Sequence, residues 1–79
     1  MFFVYAINSC VRPYIYVGMT NDVERRFVEH NKGENRSTKA YAPFELIFKE
    51  EHQTRIDARA REKYLKSGVG KEYLRSLLK

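Results

Sequence analysis

Tryptophan is absent from this 79-residue chain, cysteine occurs once, proline twice and glycine four times. A core without tryptophan must rely on Phe and Tyr, of which there are five and six. The single thiol, Cys10, excludes an internal disulfide and a cysteine-based zinc cluster. It falls in a turn between two apolar runs, which disfavours a catalytic thiol, and a reducing cytoplasmic setting is the default expectation. No stretch approaches the roughly 18 apolar residues of a membrane helix, so no membrane partner is expected. The apolar start, Met1 to Ile7, is short for a signal peptide and lacks a basic lead. Acidic residues are the minority: ten Asp and Glu face fifteen Lys and Arg, a net charge of +5. That balance favours a polyanionic partner such as nucleic acid, although it also serves solubility alone.

What is present fits one small domain over residues 1–79. Hydrophobic residues make up 43% and aromatics 14%, which argues against disorder. Such a chain buries only about 60% of its unfolded surface, so the core is modest. The aromatic and β-branched run 2–7 predicts a strand, with Phe3, Tyr5 and Ile7 on one face. Residues 8–13 read as a turn. Residues 14–18 form a second strand, paired with the first as an antiparallel hairpin, with Tyr14, Tyr16 and Gly18 on one face. Asn21 is the expected N-cap of a helix reaching about Asn31, with Glu24 in capping-box position and Gly33 as the stop. Val23, Phe27 and His30 share a face of that helix, and Arg26 lies close to it. Arg25 and Glu29 are expected to pair at i, i+4 on the outer face.

Residues 32–42 read as an exposed polar loop carrying Lys32, Arg36 and Lys39. A third strand over 44–48 alternates Phe44, Leu46 and Phe48 with Glu45, and Ile47 breaks the pattern, so both faces should be partly buried. Thr54 and Asp57 suit a capping box for a helix over 55–66. Its apolar stripe reads Ile56, Ala60 and Tyr64, with Glu62 off the stripe near Ala58 and Leu65. A last helix over about 70–78 carries Tyr73, Leu74, Leu77 and Leu78, assigned to the core. The expected class is α+β: a small three-stranded antiparallel sheet flanked by helices, in the order β-β-α-β-α-α. From Arg61 onward there are six basic residues and two acidic ones. Lys63, Lys66, Lys71 and Arg75 there, with Lys39 in the loop, are the expected nucleic-acid contacts.

Taken singly, the polar residues have ordinary readings. Tyr16 suits a core aromatic, His30 a packed histidine near a helix end, Arg26 a solvated charge, and Glu62 an i, i+4 partner for Lys66. Their joint order is more specific. Phe3-Val4-Tyr5, Tyr16-Val17-Gly18, the run from Gly18 through Arg26 to His30, and Glu62 followed by Leu65-Lys66-Ser67-Gly68 together resemble the GIY-YIG nuclease superfamily. The likeness is to its small stand-alone members, and more distantly to repair and homing-endonuclease catalytic domains. It spans essentially the whole chain. Two departures stand out: Phe3 replaces the usual first glycine, and no asparagine follows the last helix where larger members carry one.

The resemblance implies a metal-dependent DNA endonuclease, with roles in repair or recombination. Arg26 sits at the position of the catalytic arginine and Glu62 at that of the ligand for Mg²⁺ or Mn²⁺. Tyr16, with Tyr5, would orient and deprotonate the attacking water. A free tyrosine ionises near about 10 and a free histidine near about 6.5, so His30 is the simpler base and the residues alone leave Tyr16 and His30 both open. One site per chain implies nicking of one strand by a monomer or weak homodimer. The alternative is a nucleic-acid-binding module without catalysis.

Overall fold

A computed structural model describes residues 1–78; Lys79 lies outside the described residues. Three strands, β1 (Phe2–Ser9), β2 (Ile15–Thr20) and β3 (Phe44–His52), form one antiparallel sheet in the order β2-β1-β3. Three helices, α1 (Val23–Asn31), α2 (Arg55–Lys66) and α3 (Gly68–Ser76), flank it. The α+β class and the order β-β-α-β-α-α are as expected from the sequence.

β1 is central, so alternation sends its residues into two separate cores. Val4, Tyr5, Ala6 and Ile7 are all at most 1% exposed. Val4 and Ala6, with Ile15 and Val17, pack beneath Ala58 and Leu65 of α2 and Leu74 of α3. Tyr5 and Ile7 pack on the other side with Val23 of α1 and Phe44, joined by Tyr14, Tyr16, Phe27 and Tyr41. Burying each aliphatic side chain of this kind contributes about 1.5–3 kcal/mol.

Several local expectations are corrected. β3 runs to His52 instead of stopping at Phe48. It is an edge strand, and its far end is polar, with Glu50 half-buried and Glu51 exposed. Its broken alternation is a bulge. Ile7 faces Leu46 and Ala6 faces Phe48, leaving Ile47 as the extra residue. Ile47 and Phe48 therefore both turn toward Val4 and Ala6, while Phe44 turns toward Tyr5.

The α1 cap is Asp22, not Asn21: Asp22 is extended and its Oδ1 accepts from the Arg25 N–H at 3.1 Å. The loop before β3 is not uniformly exposed, since Lys39–Tyr41 make a 3₁₀ turn and Thr38 is fully buried.

The stripe on α2 is the reverse of expectation. Ile56 is 81% exposed and Tyr64 is exposed too, while Ala58, Glu62 and Leu65 are buried. Both stripes have helical spacing, and residue size pointed to the wrong one. Small Ala58 lets α2 lie close to the sheet.

Ser67 caps α3 directly after α2, accepting from the Gly70 N–H at 3.2 Å. A Cβ at Gly70 would strike the Tyr64 carbonyl oxygen and the Leu65 backbone, so glycine is what lets α2 and α3 meet. Of the expected core stripe on α3 only Leu74 is buried; Tyr73, Leu77 and Leu78 are exposed.

Candidate active site

The β1–β2 register sets Tyr5 opposite Gly18. A Cβ at position 18 would lie 2.7 Å from the Tyr5 hydroxyl oxygen and 2.8 Å from its Cζ. The Tyr5 ring thus crosses over a residue that must have no side chain. Its hydroxyl reaches α1, where Oη lies 2.9 Å from His30 Nε2. His30 Nδ1 lies 2.9 Å from Thr38 Oγ1, and Thr38 Oγ1 donates to the Asn35 carbonyl at 3.4 Å.

A carbonyl can only accept, so the network assigns the proton order. Thr38 donates to Asn35, His30 Nδ1–H donates to Thr38, and the Tyr5 O–H donates to Nε2. His30 and Thr38 are fully buried and Tyr5 nearly so. Burial first, and then the charge of Arg26, hold the His30 pKa below the ordinary 6.5. Burial, reinforced by Tyr16, pushes the Tyr5 pKa up to about 12 against the pull of Arg26. Near neutral pH this pair is an uncharged donor and acceptor, with both ring nitrogens of His30 committed.

Tyr16 differs. Its ring centroid lies 4.8 Å from that of His30 and 6.2 Å from that of Tyr5. Its side chain is half-buried, and its hydroxyl has no hydrogen-bond partner among the described residues. Arg26 Nη1 binds Glu29 Oε1 at 2.6 Å, and its charge acts on the Tyr5 hydroxyl. Glu29 therefore pairs with Arg26, not with Arg25. Arg25 turns instead to Asp22 at 4.0 Å and Asn21 at 3.5 Å, drawn there by the cap.

Glu62 sits apart from that group. It is 8% exposed on the sheet-facing side of α2, which covers Val4 and Ala6 and not Tyr5. Its carboxylate meets Lys66 Nζ at 3.2 Å and Arg59 Nη1 at 3.9 Å. No ion pair joins it to Arg26 or His30 among the described residues. The structure thus brings Tyr5, Tyr16, Arg26 and His30 together and leaves Glu62 on the other core.

Residues 1–74 match the GIY-YIG catalytic domain. The chain belongs to the GIY-YIG family. It is similar to a UPF0213 protein of Haloquadratum walsbyi, 41% identical over 66 residues that cover 82% of this chain and 73% of the relative. A UPF0213 protein of Natronomonas pharaonis is 38% identical over 66 residues, covering 82% and 76%. A UPF0213 protein of Staphylococcus epidermidis is 32% identical over 76 residues, covering 95% and 92%. No solved structure matches the chain.

The two tripeptides of this GIY-YIG chain, Phe3-Val4-Tyr5 and Tyr16-Val17-Gly18, lie on paired strands. Phe3 takes the first glycine's place without disruption: it packs on the Tyr5 core, with the Lys49 ammonium 5.5 Å from its ring centroid. Among the described residues no group of three or more His, Cys, Asp or Glu could hold a metal ion. Glu62 fits the role of metal ligand chemically, since its ion-pair partners among the described residues are the exposed cations Arg59 and Lys66, which a metal could displace.

Of the expected nucleic-acid contacts, Lys71 has its pKa lowered first by burial and then by the charges of Arg75 and Lys66. Lys63 is exposed on α2, and Lys39 is exposed in the 3₁₀ turn before β3. Two positioning residues carried no sequence signal of their own. Thr38 sits in a polar run where a hydroxyl looks solvated. Asn31 Oδ1 accepts from the Phe44 N–H at 2.6 Å and ties the end of α1 to β3.

Proposed function

We propose that this GIY-YIG chain is a metal-dependent DNA endonuclease that hydrolyses phosphodiester bonds and nicks one strand per active site. The observation that carries the proposal is the convergence of Tyr5, Tyr16, Arg26 and His30, with both His30 nitrogens committed and the Tyr16 hydroxyl without a hydrogen-bond partner among the described residues.

The roles follow from that difference. His30 has no free nitrogen to receive a proton from water, so it positions Tyr5 and, through it, the strand pair. Tyr16 is left as the group that orients the attacking water; it takes the water's proton as the phenolate, having first released its own hydroxyl proton to solvent. Arg26, held by Glu29, is a preorganised donor for charge developing on the phosphoryl oxygens. Glu62 would hold Mg²⁺ or Mn²⁺. When bound, the ion would stabilise charge on the leaving oxygen. Lys66, exchanged from Glu62 to substrate, would follow the phosphate backbone with Lys63, Lys71 and Arg75, and Lys39 would add a contact from the 3₁₀ turn.

One such set per chain serves one strand, so a monomer should nick and a double-strand cut should need a second visit or a second chain. The test is a plasmid time course at low protein concentration with Mg²⁺, Mn²⁺ or chelator. Nicked circles should accumulate before linear product, and only with metal. DNA binding without any cleavage in either metal would favour a non-catalytic binding module.

A further inference from the structure

A groove of about 430 Å³ opens between the β1–β2 turn and α3, away from Tyr16. Its lining includes Pro13, Tyr14, Ile15, Lys71, Arg75 and Leu78. The walls are apolar and aromatic, and the charges are both positive. Neither Lys71 nor Arg75 has a carboxylate partner among the described residues. Lys71 is steadied by donating to the Ile15 carbonyl at 2.5 Å, which leaves two ammonium protons for a ligand.

Tyr14 is held in place by its stack on Tyr41, with centroids 4.0 Å apart and planes 14° apart. Arg12 lies over Tyr41, 5.9 Å from its centroid. Tyr14 is therefore fixed by its stack and by packing on the Tyr5 core, and it also lines the groove.

We propose that this groove binds one unpaired nucleotide of single-stranded DNA, the base against Tyr14 and Leu78 and the phosphate on Lys71 and Arg75. Cation crowding supports it, because the Lys71 pKa is lowered by burial and then by Arg75 and Lys66, and a bound anion relieves that repulsion. A duplex offers phosphates but keeps its base faces stacked, so the apolar walls favour a strand with free bases. Lys66 joins this cation group to Glu62, at 3.2 Å. A strand seated in the groove would thus lead toward the Glu62 end of α2. The proposal rests on the nuclease reading only for the choice of DNA as partner.

The test is fluorescence anisotropy with a labelled oligothymidylate and with a duplex, in chelator so that no cleavage intervenes. Tyr14→Leu and Arg75→Glu should each weaken single-strand binding about tenfold, the scale of one lost base stack or phosphate contact. Tyr14→Leu should change duplex binding less than about twofold. Because Tyr14 also packs in the core, wild-type protein is photo-crosslinked to iododeoxyuridine-substituted oligonucleotide as well. The expected product is a crosslink at Tyr14. Unchanged single-strand binding by both variants, an equal loss of duplex binding in Tyr14→Leu, crosslinks only elsewhere, or displacement by oligoglutamate of equal charge would each overturn the proposal. Failure of Glu62→Gln to abolish nicking would count against the nuclease reading and leave this result untouched.

Discussion

The two faces of the sheet hold polar groups in opposite ways. Under α1, Tyr5, His30 and Thr38 form a dry chain in which each hydrogen-bonding atom has a fixed neighbour. Under α2, Glu62 is nearly as buried, yet its partners are long cations with their own stems in solvent. Unmet polar atoms inside a core cost about 1–3 kcal/mol each, so the first arrangement is locked, and change there is paid in stability. The second can exchange one cation for another, because Arg59 and Lys66 reach the buried carboxylate from solvent-exposed stems and a bound metal ion would take over their charge. Rigidity on one face and exchangeability on the other is what a site needs if it must orient water and also admit an ion and a phosphate.

The sharpest way to break this comparison lies at its boundary, in Arg26. Arg26→Ala should lower turnover by about 10²–10³-fold, the scale of one lost donor to transition-state charge, with little change in DNA affinity. Steady-state nicking rates beside binding isotherms check it. An equal loss in affinity would make Arg26 an ordinary surface contact.

His30→Ala tests the locked face. It removes a buried ring and strands the Tyr5 and Thr38 hydroxyls, so it should cost about 3–5 kcal/mol in a urea melt. A cost under about 1 kcal/mol would mean that the chain of hydrogen bonds is not what holds α1 to β1.

A milder probe of the same face is pH. The folded state holds the His30 pKa below the ordinary 6.5, so below 6.5 the unfolded chain binds more protons than the folded one. The His30 contribution should be complete above 6.5 and decline as the pH falls from there toward the depressed folded value. Tyr5 acts at the other end: with its pKa pushed up to about 12, its contribution should be complete below about 10 and fade as the pH rises through 12. Denaturant midpoints across pH, compared with His30→Ala, read the first effect; an unchanged acid slope in that variant would refute it.

Arg25→Ala should do least, within about 0.5 kcal/mol in stability and without effect on nicking. It differs from Arg26 by one position, and its contacts are exposed ones with Asp22 and Asn21.

The locked face was the more legible one in the sequence. Alternation put Tyr5 and Ile7 on one side of a strand, helical spacing put Val23, Phe27 and His30 on one side of a helix, and both readings match the packing. What was not legible depended on distant partners. Thr38 looks solvated until His30 is seen to need an acceptor. The cap moved from Asn21 to Asp22, and with it the partner of Glu29, because both residues are good caps and only the backbone chooses. On α2, periodicity was read correctly but assigned to the wrong side: size favoured Ile56 and Tyr64, while close approach to the sheet favoured Ala58. The burial of Glu62 follows from that reversal, since an apolar-stripe reading leaves its carboxylate in water.

The central claim is that the exchangeable carboxylate under α2 and the locked tyrosine–histidine group under α1 serve one reaction. The most direct measurement is the plasmid-nicking rate of Glu62→Gln beside wild type in Mg²⁺, with circular dichroism as the fold control. The amide keeps the shape and loses the charge, so the account predicts nicking reduced by at least about 10²-fold with an unchanged melt. Nicking by Glu62→Gln at the wild-type rate would contradict it and leave Glu62 a structural partner of Lys66.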